Sequence, residues 1–163
     1  MTELYIIRHG IAADRQDFET DEARPLTKEG DRKTQKIAKR LEEFGLNFDV
    51  IFTSPLLRAR QTAAILQDVG LGKQIWECPA LAPDGHIHDW LSQVAELTDC
   101  KSIAIVGHQP DLGNWAELLV WGEVKGNITL KKAGVMGITL PQSDSPIGRS
   151  SLFWLTPPRF LLG

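Results

Sequence analysis

Three places in the sequence carry side chains that together could bind and transfer a phosphate group. They are Arg8 with His9, Arg58, and His108. Guanidinium groups bind phosphoryl oxygens through paired hydrogen bonds, and a neutral imidazole is a nucleophile. Each residue alone could equally be a solvated surface side chain. The chemistry therefore depends on whether the fold brings these residues to one place.

Arg8, His9 and His108 lie at the ends of predicted strands, and Arg58 lies in the first turn of a predicted helix. Apolar runs typical of buried parallel strands occur at Leu4–Ile7, Val50–Thr53 and Ser102–Gly107. Ser54 as N-cap and Pro55 at the first helical position predict a helix over 56–67, with Arg58 in its first turn. Because the carboxyl ends of parallel strands meet at one edge of a sheet, we expect the four side chains to share a site there.

Within such a site the residues would take different parts. His9 is followed by Gly10, which leaves the backbone free to approach a phosphate closely, so we assign His9 as the nucleophile. The two arginines should disfavour protonation of His9 and stabilise charge on the phosphoryl oxygens during transfer. His108 would form a hydrogen bond with a phosphoryl oxygen. Helix N-termini at Ser54 and Gln109 would offer backbone N–H groups.

The rest of the sequence predicts alternating strands and helices, followed by a run of strands. Thr27 as N-cap and Gly45 as the residue after the helix delimit the first helix. A charged surface loop over Ile11–Pro25 precedes it, and the sequence leaves the mobility of this loop open. The other predicted elements are a strand at 74–77, a helix through 90–97, a helix after Pro110, strands at 127–131, 135–140 and 151–156, and a tight hairpin connection at 132–134.

Composition and charge exclude several classes of protein. A formal net charge of -3 at pH 7 offers no basic excess for binding nucleic acid. No apolar stretch reaches the length of a membrane span and no targeting pattern is visible, so we expect a cytoplasmic protein with no membrane partner. Cys78 and Cys100 stand without a CxxC motif, which predicts free thiols. A monomer is the default expectation.

Several polar residues allow two interpretations. His86 and His88 could form a metal pair, but no third ligand follows at a useful spacing, so a solvated loop is favoured. Arg24 and Arg15 could line the mouth of the pocket or could be solvated charges. Gln109 lies near enough to the expected phosphate site to donate from its backbone.

Three signatures in the sequence resemble those of the histidine phosphatase superfamily, whose fold is the phosphoglycerate mutase-like fold. They are Arg8-His9-Gly10, Ser54-Pro55-Leu56-Leu57-Arg58-Ala59-Arg60-Gln61-Thr62 and Val106-Gly107-His108. The short chain and the stretch Arg24-Pro25-Leu26-Thr27-x-x-Gly30 resemble the SixA-type phosphohistidine phosphatases of bacteria.

This resemblance implies a fold and a mechanism. The fold would be α/β, a three-layer α/β/α sandwich with a mostly parallel central sheet and helices on both faces, and residues 1–163 would form a single histidine-phosphatase domain. The mechanism would pass through a covalent phosphohistidine on His9, in a pocket of Arg8, Arg58 and His108. Neither a metal nor an organic cofactor is implied.

One departure from the family bears on the substrate. Many larger relatives place a Glu or Asp after the third strand as the general acid for an alkoxide leaving group, and this chain reads Ala80-Leu81-Ala82-Pro83-Asp84-Gly85 there. Asp84 could supply the acid, but no distinctive motif surrounds it. A missing acid is consistent with a phosphoramidate substrate, because a P–N bond needs less help to break than a phosphate ester.

Three functions are therefore compatible with the sequence. We favour a metal-independent phosphatase that acts on phosphohistidine in a partner protein, for example a histidine phosphotransfer domain of a phosphorelay. A second function is a phosphatase for a small phosphomonoester or sugar phosphate with the same nucleophile. A third is a non-catalytic module that recognises phosphorylated partners, which the presence of all four pocket residues disfavours.

Overall fold

A six-stranded sheet organises the computed structural model, which describes residues 1–142 and 144–163. Its strands are β1 (Thr2–Arg8), β2 (Val50–Thr53), β3 (Ile75–Glu77), β4 (Ser102–Gly107), β5 (Val135–Leu140) and β6 (Ser151–Thr156). Their order in the sheet is β3-β2-β4-β1-β5-β6. Strands β3, β2, β4 and β1 are parallel to one another, whereas β5 runs antiparallel to both β1 and β6. The sheet is therefore mostly parallel, as predicted.

Helices cover both faces of this sheet. They are α1 (Lys28–Glu43), α2 (Leu57–Val69), α3 (Ile87–Ala95), α4 (Asp111–Trp121) and the short α5 (Arg159–Leu162). Alternate residues of β1 point to opposite faces: Leu4 and Ile6 pack in a cluster with α3 and α4, and Tyr5 and Ile7 pack with α1, α2 and α5. The three-layer α/β/α sandwich expected from the sequence is confirmed.

Strand register brings three chain segments to one level at the carboxyl edge of the sheet. Arg8 of β1 lies opposite Gly107 of β4, and Val106 of β4 lies opposite Thr53 of β2. The residues that follow these strands therefore leave the sheet side by side: His9, His108 and Ser54.

Local sequence signals place the ends of α1 correctly. Thr27 is the N-cap, and its hydroxyl accepts a hydrogen bond from the backbone N–H of Gly30 at 2.9 Å. After the helix, Gly45 has a φ of +83°, the left-handed conformation that glycine adopts without strain.

The predicted N-cap of α2 is wrong. The helix begins at Leu57, and Leu56 rather than Ser54 occupies the cap position, without a side-chain cap. The Ser54 hydroxyl instead accepts the Leu56 N–H at 3.2 Å and lies 2.7 Å from a ring nitrogen of His108. The Ser54 hydroxyl thus has both a local partner and a partner far along the chain, and Arg58 still lies in the first turn of the helix.

The predicted strand over 127–131 is also wrong, because this segment is an irregular loop. The fully buried carboxylate of Glu117 in α4 accepts hydrogen bonds from backbone N–H groups of the loop. The donors are Lys125 at 2.8 Å, Asn127 at 2.9 Å and Ile128 at 3.3 Å. These backbone groups are satisfied by a side chain and are not free to form a strand ladder.

No hairpin forms around 132–134. A turn does close there, with the Gly134 N–H donating to the Lys131 carbonyl at 2.7 Å. The strand that leaves the turn, β5, pairs with β1 and β6 instead of folding back on the preceding segment.

Other features of the chain follow the sequence more simply. Both Cys78 and Cys100 are free thiols, as predicted. Among the described residues, no helix combines the length and the apolar character that crossing a membrane requires.

Replacing Glu117 with Gln is expected to lower the melting temperature by a few degrees at pH 7, because the amide puts a donor where three N–H donors need acceptors. Burial by itself raises the pKa of this carboxyl, but the N–H groups of Lys125, Ile128 and Asn127 bring it below its usual value. In the unfolded chain the pKa of Glu117 is about 4.3, and the carboxylate stabilises the folded protein fully above that pH. This stabilisation is lost as the pH falls through the lower pKa that Glu117 has in the folded protein.

Thermal unfolding of wild type and E117Q at a series of pH values from neutral to acid tests this. The difference in melting temperature should shrink in acid. A difference that stays constant across the series would contradict the assigned role of the carboxylate.

Candidate active site

His9 is 5% exposed and has a defined tautomer. Its Nδ1 lies 2.7 Å from the carbonyl oxygen of Gly10. A carbonyl oxygen only accepts hydrogen bonds, so Nδ1 carries the proton of the neutral ring and Nε2 keeps a lone pair. Nε2 accepts a hydrogen bond from Arg58 Nε at 3.4 Å. The neutral ring therefore presents a nucleophilic nitrogen beside a guanidinium group.

The environment of His9 favours this neutral form. Burial lowers the pKa of His9 to about 3, and the charges of His108, Arg58 and Arg8 act in the same direction, against the opposing effect of the Gly10 hydrogen bond. The direction agrees with the sequence-based expectation. The main cause is burial, however, and not the charge of the arginines.

His108 lies beside His9, with 5.2 Å between the ring centroids. Its Nε2 is 2.7 Å from the Ser54 hydroxyl, whereas its Nδ1 is buried and has no hydrogen-bond partner among the described residues. Burial, followed by the charge of Arg58, lowers the pKa of His108 to about 4. A neutral His108 thus has one nitrogen engaged with Ser54 and one available to a bound anion.

Arg8 reaches the same region from the end of β1. Its Nη1 donates to the Leu130 carbonyl at 3.0 Å, and its buried Nε has no partner within the described part of the chain. Burial and, next, the charge of Arg58 lower the pKa of Arg8. Arg8 keeps its charge and has a donor available for an anion.

Arg58 is 5% exposed, and Asp21 accepts hydrogen bonds from both of its terminal nitrogens. Its Nη1 donates to the backbone carbonyl of Asp21 at 2.8 Å, and its Nη2 donates to the Asp21 carboxylate at 3.0 Å. Its Nε faces His9 Nε2. The structure thus brings Arg8, His9, Arg58 and His108 together at the carboxyl edge of the sheet.

Gly10 and Arg58 are tied to each other through one hydroxyl. Thr62 Oγ1 accepts the Gly10 N–H at 3.1 Å and donates to the Arg58 carbonyl at 2.9 Å. A side chain at position 10 would collide with the Thr34 hydroxyl of α1, so glycine is required by the close approach of that helix. The chain around His9 is therefore fixed by α1 and α2 together.

Comparison with known proteins agrees with this geometry. The family model of the histidine phosphatase superfamily (branch 1) matches residues 4–82. Phosphohistidine phosphatase SixA of Escherichia coli is 28% identical over 162 residues, which cover 96% of this chain and 94% of that protein. The structure of the protein histidine phosphatase SixA complexed with tungstate superposes with a TM-score of 0.85 at 27% identity, covering 98% of this chain and 99% of the other. The chain belongs to the histidine phosphatase superfamily.

Another relative has a higher sequence identity to this histidine phosphatase and matches it along nearly the whole chain. An uncharacterised protein of Picosynechococcus sp. is 45% identical over 164 residues, which cover 98% of this chain and 99% of that protein. The match to SixA also places this chain with the SixA-type branch and identifies it as a phosphatase.

Two arginines, Arg24 and Arg15, could either line the pocket mouth or be solvated charges, and the contacts of the described residues connect Arg24 to the site. Its Nε donates to the Ala13 carbonyl at 2.7 Å, and its Nη1 donates to the Asp21 carboxylate that also binds Arg58, at 2.8 Å. Arg15 instead closes its own exposed loop, with donation to the Phe18 carbonyl. The interpretation of Arg15 as a solvated loop residue agrees better with these contacts.

Gln109 and Asp84 form hydrogen bonds with residues other than the four central residues of the site. The Gln109 side chain accepts the Gly113 N–H at 3.0 Å and donates to the Ile128 carbonyl at 3.4 Å, so only its backbone is left for the predicted phosphate contact. Asp84 is exposed, and its backbone N–H donates to the Asp111 carboxylate at 2.8 Å. Its side chain makes no hydrogen bond or ion pair to another described residue, which leaves its role as an acid a prediction.

His86 and His88 are exposed side chains at the start of α3. Across residues 1–142 and 144–163, no group of three or more His, Cys, Asp or Glu side chains is arranged to hold a metal ion.

Sequence reasoning missed four groups that support the site: the Asp21 carboxylate, the Ser54 and Thr62 hydroxyls and the Leu130 carbonyl. Ser54 and Thr62 lie inside the second signature, so that stretch contained a signal for them. Asp21 is one of several acidic residues in a charged loop and carried no such signal. Leu130 contributes only its backbone, which its residue type cannot reveal.

In the free phosphatase, His9 is expected to stay neutral from about pH 8 down to about pH 5, because its pKa is lowered to about 3. An NMR titration of the imidazole Cε1–H signals, assigned with His9→Ala, measures this. Because the unfolded chain takes up this proton near pH 6.5, the free energy of unfolding should fall as the pH decreases below about 6.5. A His9 midpoint between pH 6 and 7 would refute the assigned environment.

Replacing Thr62 with Val is expected to lower the free energy of unfolding by about 1–3 kcal/mol, because a buried N–H and a buried carbonyl both lose a partner at nearly constant volume. The turnover number should fall as well, since Gly10 and Arg58 lose their common support. Urea unfolding and steady-state kinetics measure both effects. The exposed Thr98→Val is the matched control, and equal stability of the two variants would contradict the prediction.

Proposed function

We propose that this phosphatase removes the phosphoryl group from phosphohistidine on a partner protein, through a covalent intermediate on His9, with residues 1–163 acting as one domain. The observation that carries the proposal is the pairing at His9: the Gly10 carbonyl holds the Nδ1 proton, and the unprotonated Nε2 accepts a hydrogen bond from Arg58 Nε at 3.4 Å. Similarity to SixA supports the substrate class, and SixA in complex with tungstate is a relative that holds an oxyanion.

In the first step the phosphoryl group passes from the substrate imidazole to His9. The P–Nε2 bond forms as the substrate P–N bond breaks, and the leaving imidazole takes the electron pair of that bond. When the other ring nitrogen of the substrate carries a proton, the leaving group is a neutral imidazole and needs no proton from the enzyme. Arg8 and Arg58 stabilise the charge on the equatorial oxygens.

His108 supports the transfer as a hydrogen-bond donor. Ser54 Oγ already accepts the Leu56 N–H at 3.2 Å, so its own proton is free to point to His108 Nε2, 2.7 Å away. That arrangement leaves the proton of the neutral ring on the buried, unpartnered Nδ1. His108 then donates from Nδ1 to a phosphoryl oxygen.

In the second step water releases the phosphate from His9. The new O–P bond forms as the P–Nε2 bond breaks, and the electron pair returns to Nε2. Because Nδ1 keeps its proton on the Gly10 carbonyl, His9 leaves as a neutral imidazole, and both protons of the water depart with the dihydrogen phosphate ion.

The preference for P–N over P–O bonds follows from the carboxylates near the site. Asp84 is exposed and bonds to none of the four central residues within the described chain. Asp21 does bond to Arg58; partial burial raises its pKa, but hydrogen bonds from Arg24 and Arg58 bring it below its usual value. A carboxyl held in the ionised form is a poor proton donor near neutral pH, which disfavours an alkoxide leaving group.

The deciding experiment compares phosphate release from a phosphohistidine-bearing phosphotransfer protein with release from an aryl phosphate ester. We expect fast release from the first and slow release from the second. His9→Ala should reduce the rate on either substrate to background, and Arg58→Ala should reduce it by about 10²–10³-fold through loss of charge stabilisation. The exposed His86→Ala is the control and should behave as wild type.

Two results would overturn the proposal. A wild-type rate in His9→Ala would remove the covalent step. Faster release from the aryl ester would indicate a small-molecule phosphomonoesterase, and Asp84→Asn should then lose activity as the variant that lacks the general acid.

A further inference from the structure

The Asp21 carboxylate joins two arginines of the site into one connected chain. Its Oδ2 accepts Arg58 Nη2 at 3.0 Å, and its Oδ1 accepts Arg24 Nη1 at 2.8 Å. The far end of the chain is anchored, because Arg24 Nε donates to the Ala13 carbonyl at 2.7 Å. The charged loop before α1 therefore reaches the buried Arg58 through a single residue, Asp21, by its side chain and its backbone carbonyl.

The contacts of Arg58 define how its planar group is oriented. A guanidinium has two edges that present paired N–H groups, one at its end between Nη1 and Nη2, and one at its side between Nε and Nη2. Asp21 occupies the end edge with its backbone carbonyl and its carboxylate. The side edge stays directed at His9, where Nε lies 3.4 Å from Nε2.

This orientation matters because a long side chain must be ordered before it can stabilise a transition state. Arginine has many rotamers, and fixing them in advance removes an entropic cost from the reaction. We propose that Asp21 is a positioning residue, which orients Arg58 so that its Nε–Nη2 edge meets the phosphoryl group at His9. The inference rests on the proposed function, since phosphoryl transfer to His9 is the step that the orientation serves.

A competing anion would occupy Arg58 differently. An inhibitory carboxylate would bind the Nε–Nη2 edge of Arg58, which faces His9, and would take the place that a phosphoryl group needs. Asp21 instead binds the opposite end of the group, and the contact between Arg58 and His9 exists at the same time. The geometry therefore assigns Asp21 a supporting part in the reaction and not a blocking one.

Asp21→Asn tests the inference, with Glu22→Gln as the matched control. Both changes remove one carboxylate charge from the same loop, and Glu22 is exposed. We expect Asp21→Asn to lower kcat by roughly 10- to 100-fold with little change in KM, because misplacement of a stabilising group acts on the transition state. Glu22→Gln should leave both constants unchanged, and Asp21→Glu should recover part of kcat.

A second measurement does not depend on turnover. The Nε–Hε signal of Arg58 in a ¹⁵N spectrum, assigned with Arg58→Lys, should show a high order parameter in wild type and in Glu22→Gln. In Asp21→Asn the order parameter should fall while backbone signals of the sheet stay in place. These backbone signals also show whether the variant is folded.

The outcomes separate this inference from the proposed function. Tighter binding of inorganic phosphate by Asp21→Asn with undiminished kcat would overturn it and identify Asp21 as a competing anion. An unchanged order parameter of Arg58 would overturn it as well. Failure of the proposed function appears elsewhere, as activity that survives in His9→Ala, and the order parameter of Arg58 still decides whether Asp21 orients that side chain.

Discussion

Placement of one buried and one partly buried guanidinium group, those of Arg58 and Arg8, beside two imidazoles is the constraint on which the rest of the site depends. Removing charges from water is costly, and like charges placed together add to the cost unless acceptors surround them. Burial, and next the charge of Arg58, lower the pKa of Arg8. The fold offsets this cost with the Leu130 carbonyl on Arg8 and with the backbone and side chain of Asp21 on Arg58.

The neutral state of the histidines follows from the same constraint. Burial lowers the pKa of His9 to about 3 and that of His108 to about 4, and the nearby arginines act in the same direction. With both rings neutral, hydrogen bonds decide which nitrogen carries the proton. The Gly10 carbonyl decides it for His9, so the surroundings that exclude water also prepare the nucleophile.

The supports of this site extend into both layers of helices. On one face, α2 supplies Arg58 and Thr62, whose hydroxyl also holds the Gly10 backbone. On the other face, the buried Glu117 of α4 fixes the loop that leads to Leu130, and the Leu130 carbonyl holds Arg8. Loss of packing at a distance from the site can therefore reach the phosphate-binding arginines through a small number of hydrogen bonds.

The sequence by itself determined the central parallel strands and the four central residues, and its resemblance to a known superfamily implied the layers of the fold. The continuous apolar run of β1 indicates a strand buried on both faces, and the runs that end at Arg8 and Gly107 place His9 and His108 at one edge, because parallel strands in register end together. The spacing of Pro55 and the apolar face behind it likewise placed Arg58 in the first turn of α2. These are local signals, and each can be seen in a stretch of a few residues.

Only the tertiary structure decided which partners hold those residues. Ser54 lies outside the cap position of α2 and contacts His108, residues 127–131 form a loop held by Glu117 instead of a strand, and Asp21 rather than Arg15 connects the charged loop to the site. In each case the deciding contact joins a side chain to a group in a different element or loop of the chain. Such contacts leave no periodic pattern in the sequence, because their energy depends on which groups the folded chain buries together.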